Sequence, residues 1–109
     1  FHIARHFRLT DSAWNFQVSY PAKWWFNSFG GVSPSLHRVE FGPQNIENIN
    51  SGKVVLEILA GARGSVVEKK EEKSIILLPR DSTSHFQLSA DSESYDVLAQ
   101  MAKSLQNNL

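Results

Sequence analysis

The feature that most limits what this chain can become is a change of hydrophobic period near Asp91. Before it, apolar residues recur at every second position, and after it they recur at helical spacing. Segment 15–20 places Phe16, Val18 and Tyr20 on one face and Gln17 and Ser19 on the other, the pattern of a half-buried strand closed by Pro21. Segment 36–41 alternates in the same way, with His37, Val39 and Phe41 opposite Leu36, Arg38 and Glu40, before Gly42-Pro43. Segment 53–60 is the most apolar, with Val55 and Leu59 opposite Val54, Leu56, Ile58 and Ala60. It reads as a central strand covered on both faces. Segments 74–78 and 84–90 complete the strands, separated by a turn at Pro79-Arg80-Asp81-Ser82. Beyond Asp91 the stripe Tyr95, Leu98, Ala99, Ala102, Leu105 and Leu109 predicts one terminal helix, with Asp91 or Ser92 as its cap. Strands followed by a helix, without an alternating βαβ rhythm, predict an α+β fold. The expected form is a twisted, mainly antiparallel sheet of about five to six strands with the C-terminal helix packed on one face.

Between these elements the chain is punctuated by loops rather than linkers. The Asn-rich stretch 43–52 ends in Ser51-Gly52 and reads as a loop, and Gly61 to Gly64 turns the chain after the central strand. The run Glu68-Lys69-Lys70-Glu71-Glu72-Lys73 mixes both signs and reads as a solvated turn or hairpin tip. With 109 residues and no internal repeat, the expectation is a single domain over 1–109.

Charge and composition exclude several function classes. Eleven basic residues balance eleven acidic ones, so the chain lacks the cationic excess of a dedicated nucleic-acid binder. No apolar run approaches the roughly 18–20 residues of a membrane-spanning helix. The absence of cysteine removes disulfides, thiolate catalysis and Cys-type zinc sites. His2, His6, His37 and His85 are the only histidines, and no His-Glu-x-x-His accompanies them, so neither a metal site nor a cofactor is expected. Catalysis is not expected either, since no Gly-x-Ser-x-Gly, phosphate loop or isolated carboxylate pair occurs.

The compositional anomaly is aromatic. Ten of the Phe, Trp and Tyr residues lie between Phe1 and Phe41, leaving Phe86 and Tyr95 for the rest. The densest point is Trp24-Trp25-Phe26. An extended backbone there sends Trp24 and Phe26 one way and Trp25 the other. Large rings dominate small cores, so the simplest expectation is that all three pack. The functional alternative exposes Trp25 or Phe29 beside Gly30-Gly31 as an anchor for a partner. The candidate binding surface therefore takes Trp24, Trp25 and Phe29, joined by His37 and Arg38 of the following strand.

The sequence 15–24, Asn-Phe-Gln-Val-Ser-Tyr-Pro-Ala-Lys-Trp, followed by a loop, by His37-Arg38-Val39-Glu40-Phe41 and by the apolar strand from Val54, resembles the opening of PsbP-like domains. Residues 95–106 are similar to that family's last helix, and the resemblance spans residues 14–60 and 84–107. It implies a twisted antiparallel sheet with helices on its faces. The wider fold includes oxygen-evolving photosystem subunits, bacterial extracytoplasmic lipoproteins, secretion-effector chaperones and a Ran-binding nuclear protein, most of them non-enzymatic binders. Such domains insert a helical crossover before the last hairpin, where this chain has only residues 61–73. A function residing in that crossover is not implied, and none of the family's metal sites matches residue by residue.

These readings lead to a non-enzymatic binding or accessory domain, probing a protein partner through its aromatic strand and loop. The resemblance leads to the expectation of an extracytoplasmic protein, and the missing thiols and a start at Phe1 rather than Met fit an exported domain and a cytosolic one equally well. Two alternatives stand beside it. One is a small apolar-ligand carrier whose pocket between sheet and helix is lined by aromatics and by Leu98 or Leu105. The other is a hydrolase using His37 or His85 beside a carboxylate or serine in a cleft.

Overall fold

The computed structural model describes residues 6–69 and 72–107. Strands β1 (His6–Asp11) and β2 (Phe16–Pro21) form an antiparallel hairpin. Its turn is set by Asp11, whose Oδ1 accepts the Trp14 N–H at 3.0 Å, and by Asn15 at φ 57°, a left-handed position that asparagine tolerates. The remaining strands are β3 (Trp25–Val32), β4 (Ser35–Gly42), β5 (Val54–Ala60), β6 (Val66–Lys69), β7 (Lys73–Pro79) and β8 (Ser84–Asp91). They make one antiparallel six-stranded sheet in the order β3-β4-β5-β8-β7-β6. A 3-10 turn, Ser92–Ser94, leads into helix α1 (Tyr95–Asn107). The fold is α+β with the helix packed on the sheet.

Register explains where the core sits. Val39, Leu56, Leu88 and Ile76 stand side by side across four strands, flanked by Phe41, Val54 and Ala90 on one side and by Ile58, Phe86 and Leu78 on the other. Because side chains alternate along each strand, all of these point to the same face. The β1/β2 hairpin and α1 cover that face together. Phe16 meets Phe86 edge-on at 5.7 Å, Tyr20 meets Phe41 at 5.4 Å, and Val97, Leu98, Met101, Ala102 and Leu105 come from the helix. Burying each such side chain stabilises the fold by about 1.5–3 kcal/mol. The two parts of this second layer are tied to each other. The Ser19 N–H donates to Ser104 Oγ at 2.9 Å, and that hydroxyl donates to the Met101 carbonyl at 2.8 Å.

The strands expected at 15–20, 36–41, 53–60, 74–78 and 84–90 and the terminal helix are all present within a residue or two. Three strands went unread. β1 follows an N-terminal stretch without alternation, β6 has only four residues, and β3 has its period broken by register shifts around Gly30, which sits at φ 67°. Pro21 closes β2 from inside, as the residue opposite His6. Strand β5 is central in the sheet, but among the described residues it is covered by a packed layer on one face only, leaving Val55 and Leu59 half-buried. The helix buries a wider arc than the expected stripe, adding Val97 and Met101, because it touches β2 as well as β7 and β8. Asp91 makes no side-chain cap, since the 3-10 turn intervenes. Of the charge run, Glu68 and Lys69 end β6 and Lys73 opens β7, while Lys70 and Glu71 lie outside the described residues, as do His2 and Leu109. No helix among the described residues is long and apolar enough to cross a membrane.

Candidate functional site

Strand β3 is one edge of the sheet, paired only to β4. Its first two residues face opposite sides, and both rings are open to solvent. Trp25 is 51% exposed and Phe26 is 42% exposed. The expectation that all three clustered rings pack therefore fails for two of them. Trp25 lies on the face away from the covering hairpin, and Phe26, on the hairpin's face, has a neighbouring strand on one side only because β3 is an edge. Trp24 does pack, half-buried against the core, and Phe29 is half-buried farther along the strand.

Of the two exposed rings, Phe26 is held from behind. Phe26 contacts Tyr20 edge-on at 5.8 Å and Phe41 at 6.3 Å, and those two contact each other. A chain of rings thus runs from the core to the edge. Asn27, between Phe26 and Ser28, donates its side-chain N–H to the Ile46 carbonyl at 2.9 Å, fixing the loop after β4 beside the same edge. The arrangement offers apolar area on both sides of a strand edge, with little rotamer freedom left to lose on binding.

His37 and Arg38 belong elsewhere. His37 is buried beneath the hairpin turn, stacked on Trp14 at 5.6 Å and tilted against Phe16. Its Nε2 lies 3.1 Å from Asp11 Oδ2 but is not aligned as a hydrogen bond. Trp14 is also engaged by Arg80, whose guanidinium lies 5.2 Å from the ring and donates to the Trp14 carbonyl at 2.9 Å. Asp81 then organises the β7/β8 turn by accepting from the Thr83 N–H, the Thr83 hydroxyl and the Ser84 hydroxyl. Those bonds, with some help from Arg80, pull its carboxyl down to about 2.

Arg38 lies on the opposite face of the sheet, in a network that sequence reasoning missed. Its Nε is 2.9 Å from Glu40, one Nη is 3.3 Å from Glu57, and the other donates to Asn50 at 2.8 Å. Glu57 also accepts from the Ser35 hydroxyl. Glu40 is fully buried and accepts the backbone N–H groups of Asn50 and Gly52, each at 2.8 Å. Burial pushes its carboxyl up, but these two N–H groups and Arg38 outweigh that, so it titrates below the ordinary glutamate range. Asn50 adopts φ 70° to present its N–H. Glu40 therefore anchors the 43–53 loop. The available signal was a carboxylate ahead of a loop dense in Asn, Ser and Gly, but alternation alone assigns it to solvent.

His85 is buried, with Nδ1 2.6 Å from the Gly61 carbonyl. No group of three or more His, Cys, Asp or Glu among the described residues could hold a metal ion. Leu98 and Leu105 are fully buried in the core. An apolar groove of about 270 Å³ does lie between β6 and α1, lined by Val66, Val67, Ile76, Tyr95, Ala99 and Lys103 among others. Comparison with known protein families, with curated proteins and with solved structures finds no match to this chain.

Proposed function

We propose that this chain is a non-enzymatic binding or accessory domain that recognises a protein partner through the aromatic edge at β3. The observation that carries the reading is the pair Trp25 and Phe26, half-exposed on opposite sides of an edge strand, with Phe26 backed by Tyr20 and Phe41. Rigid rings at a surface are the residue types that dominate interface energy. The partner surface straddles the edge, and Phe29 extends it toward Gly30. His37 and Arg38 serve this surface indirectly, by holding the hairpin and the 43–53 loop in place. The resemblance to PsbP-like domains supports placement in an extracytoplasmic protein.

The alternatives have less behind them. A carrier of small apolar ligands needs a cavity of roughly 300–1,000 Å³ lined by several rings. The groove beside α1 has Tyr95 as its single aromatic residue. For a hydrolase, His37 has its carboxylate in Asp11, but both are packed under Trp14, away from the aromatic edge.

The test places a photoreactive phenylalanine at position 25 and, as a control, at the exposed position 82. The expected result is one discrete cross-linked polypeptide from position 25 in extracts of the source cells, lost on adding Phe26→Ser. Identical cross-links from both positions, or none from position 25, would overturn the reading.

A further inference from the structure

The opposite edge of the sheet is built on different principles. Strand β3 guards its backbone with two register shifts and a left-handed glycine, devices that discourage another strand from adding to an edge. Strand β6 has neither. It runs in unbroken register against β7, contains no proline, and every second residue turns its N–H and C=O toward the open edge. Two β-branched residues stand exposed on it, Val66 at 40% and Val67 at 55%. Lys69, the residue best suited to repel a further strand, is instead folded over the Tyr95 ring at 4.0 Å.

The groove between β6 and α1 lies beside this unguarded edge. Its floor is Ile76 and Leu78, one wall is Val67, and the other is the helix flank of Tyr95, Ala99 and Lys103. The charges at the groove are of one sign. Lys103 lines it, Lys69 borders it over Tyr95, and no carboxylate is among the lining residues.

We propose that β6 and α1 form a second binding site, which takes an extended peptide segment of another protein. The segment adds as a seventh strand to the sheet, pairing its backbone with β6. Alternate side chains of such a strand point into the groove, so the recognised pattern is a row of every-second residues that combines apolar side chains with an Asp or Glu on the same face to meet Lys69 and Lys103, the intervening residues facing away. The site is separate from the β3 edge and does not depend on the partner proposed there.

The test uses the whole chain labelled with ¹⁵N and three capped hexapeptides. One reads Ile-Thr-Asp-Thr-Ile-Thr, which puts Ile and Asp on one face, one has Lys in place of that Asp, and one is the acidic peptide with its fourth residue replaced by proline. The acidic peptide is expected to shift amide resonances of Val66 to Lys69 and of Ala99 to Lys103, to bind about tenfold more tightly than the lysine peptide, and to weaken as salt rises. The proline peptide is expected not to bind, because it cannot complete the ladder. Lys69→Glu with Lys103→Glu, both at exposed positions, should invert the preference between the acidic and lysine peptides. Equal affinity for the two peptides, shifts confined to β3, no shift at millimolar peptide, or concentration-dependent shifts of β6 in the peptide-free protein would each overturn the proposal, the last by showing a second copy as the occupant.

Discussion

Glu40 and Phe41 are neighbours in β4, and both are fully buried, but on opposite faces of the sheet and by different means. Phe41 is covered by a layer, made of β2 with its Tyr20 ring and the core behind it. Glu40 is covered by a loop that folds over it because the carboxylate accepts two of the loop's own N–H groups. Burial on the first face costs water an apolar surface and is non-directional. On the second it is tolerated only because every oxygen is met by a donor, and so it fixes loop geometry as well as stability.

The comparison is broken most directly at Phe41. Phe41→Ala should lower unfolding free energy by about 3–5 kcal/mol, since it empties a well-packed site. A loss below about 1 kcal/mol in urea titration would mean that the layer is not tightly packed. Glu40→Ala should cost about 2–4 kcal/mol, because Arg38 and two backbone donors lose their acceptor together. Its signature differs from that of Phe41→Ala. Amide exchange should rise in residues 48–52 rather than across the core.

Gly52 sharpens the same contrast. A Cβ there would lie 2.7 Å from Glu40 Cβ and 3.1 Å from the backbone of Phe41. Gly52→Ala is therefore expected to cost about 1–3 kcal/mol by displacing the loop. An unchanged denaturation midpoint would show that the loop does not depend on this close approach.

Acid should act on the carboxylates held by hydrogen bonds, Glu40 and the turn residue Asp81, rather than on the apolar layer over Phe41. Glu40 and Asp81 both titrate below their ordinary values when folded, Asp81 at about 2. A carboxyl depressed by folding contributes stability that is complete above its unfolded value, near 4, and is lost as pH falls through its folded value. Melting temperature should hold steady from pH 7 to 5 and decline below about 4, with a shallower decline in Glu40→Gln. A decline that begins near pH 6 would contradict both assignments.

The smallest effect is expected at Trp25. Trp25→Ser should change stability by no more than about 0.5 kcal/mol, as an exposed ring contributes little to folding. Acrylamide should quench the wild-type indole emission through Trp25, and the variant's remaining Trp14 and Trp24 should be largely shielded. Uniform shielding in the wild type would remove the exposed anchor.

Much of this was legible in the residues. Alternation placed Phe16, Val18, Tyr20, Val39, Phe41, Leu56 and Leu88 on their faces, because a strand's side-chain period is a local property of its backbone. The switch of period at Asp91 announced the helix in the same local way. The crowding of rings before Phe41 marked the region where two of them come to the surface.

Tertiary structure decided the rest. Whether a ring at position 25 or 26 is covered depends on β3 being an edge strand and on only one face of the sheet carrying the hairpin, which no spacing within residues 24–26 records. His37 meets Asp11 across a sequence gap of more than twenty residues, and Arg38 meets Asn50 only once the loop has closed over Glu40. Strand β6 is an edge because of the order in which the strands assemble. Period and propensity act between near neighbours and so can be read along the chain. Edge position, ion partners and exposure are set by which distant segments meet, and that is determined only when the layers pack.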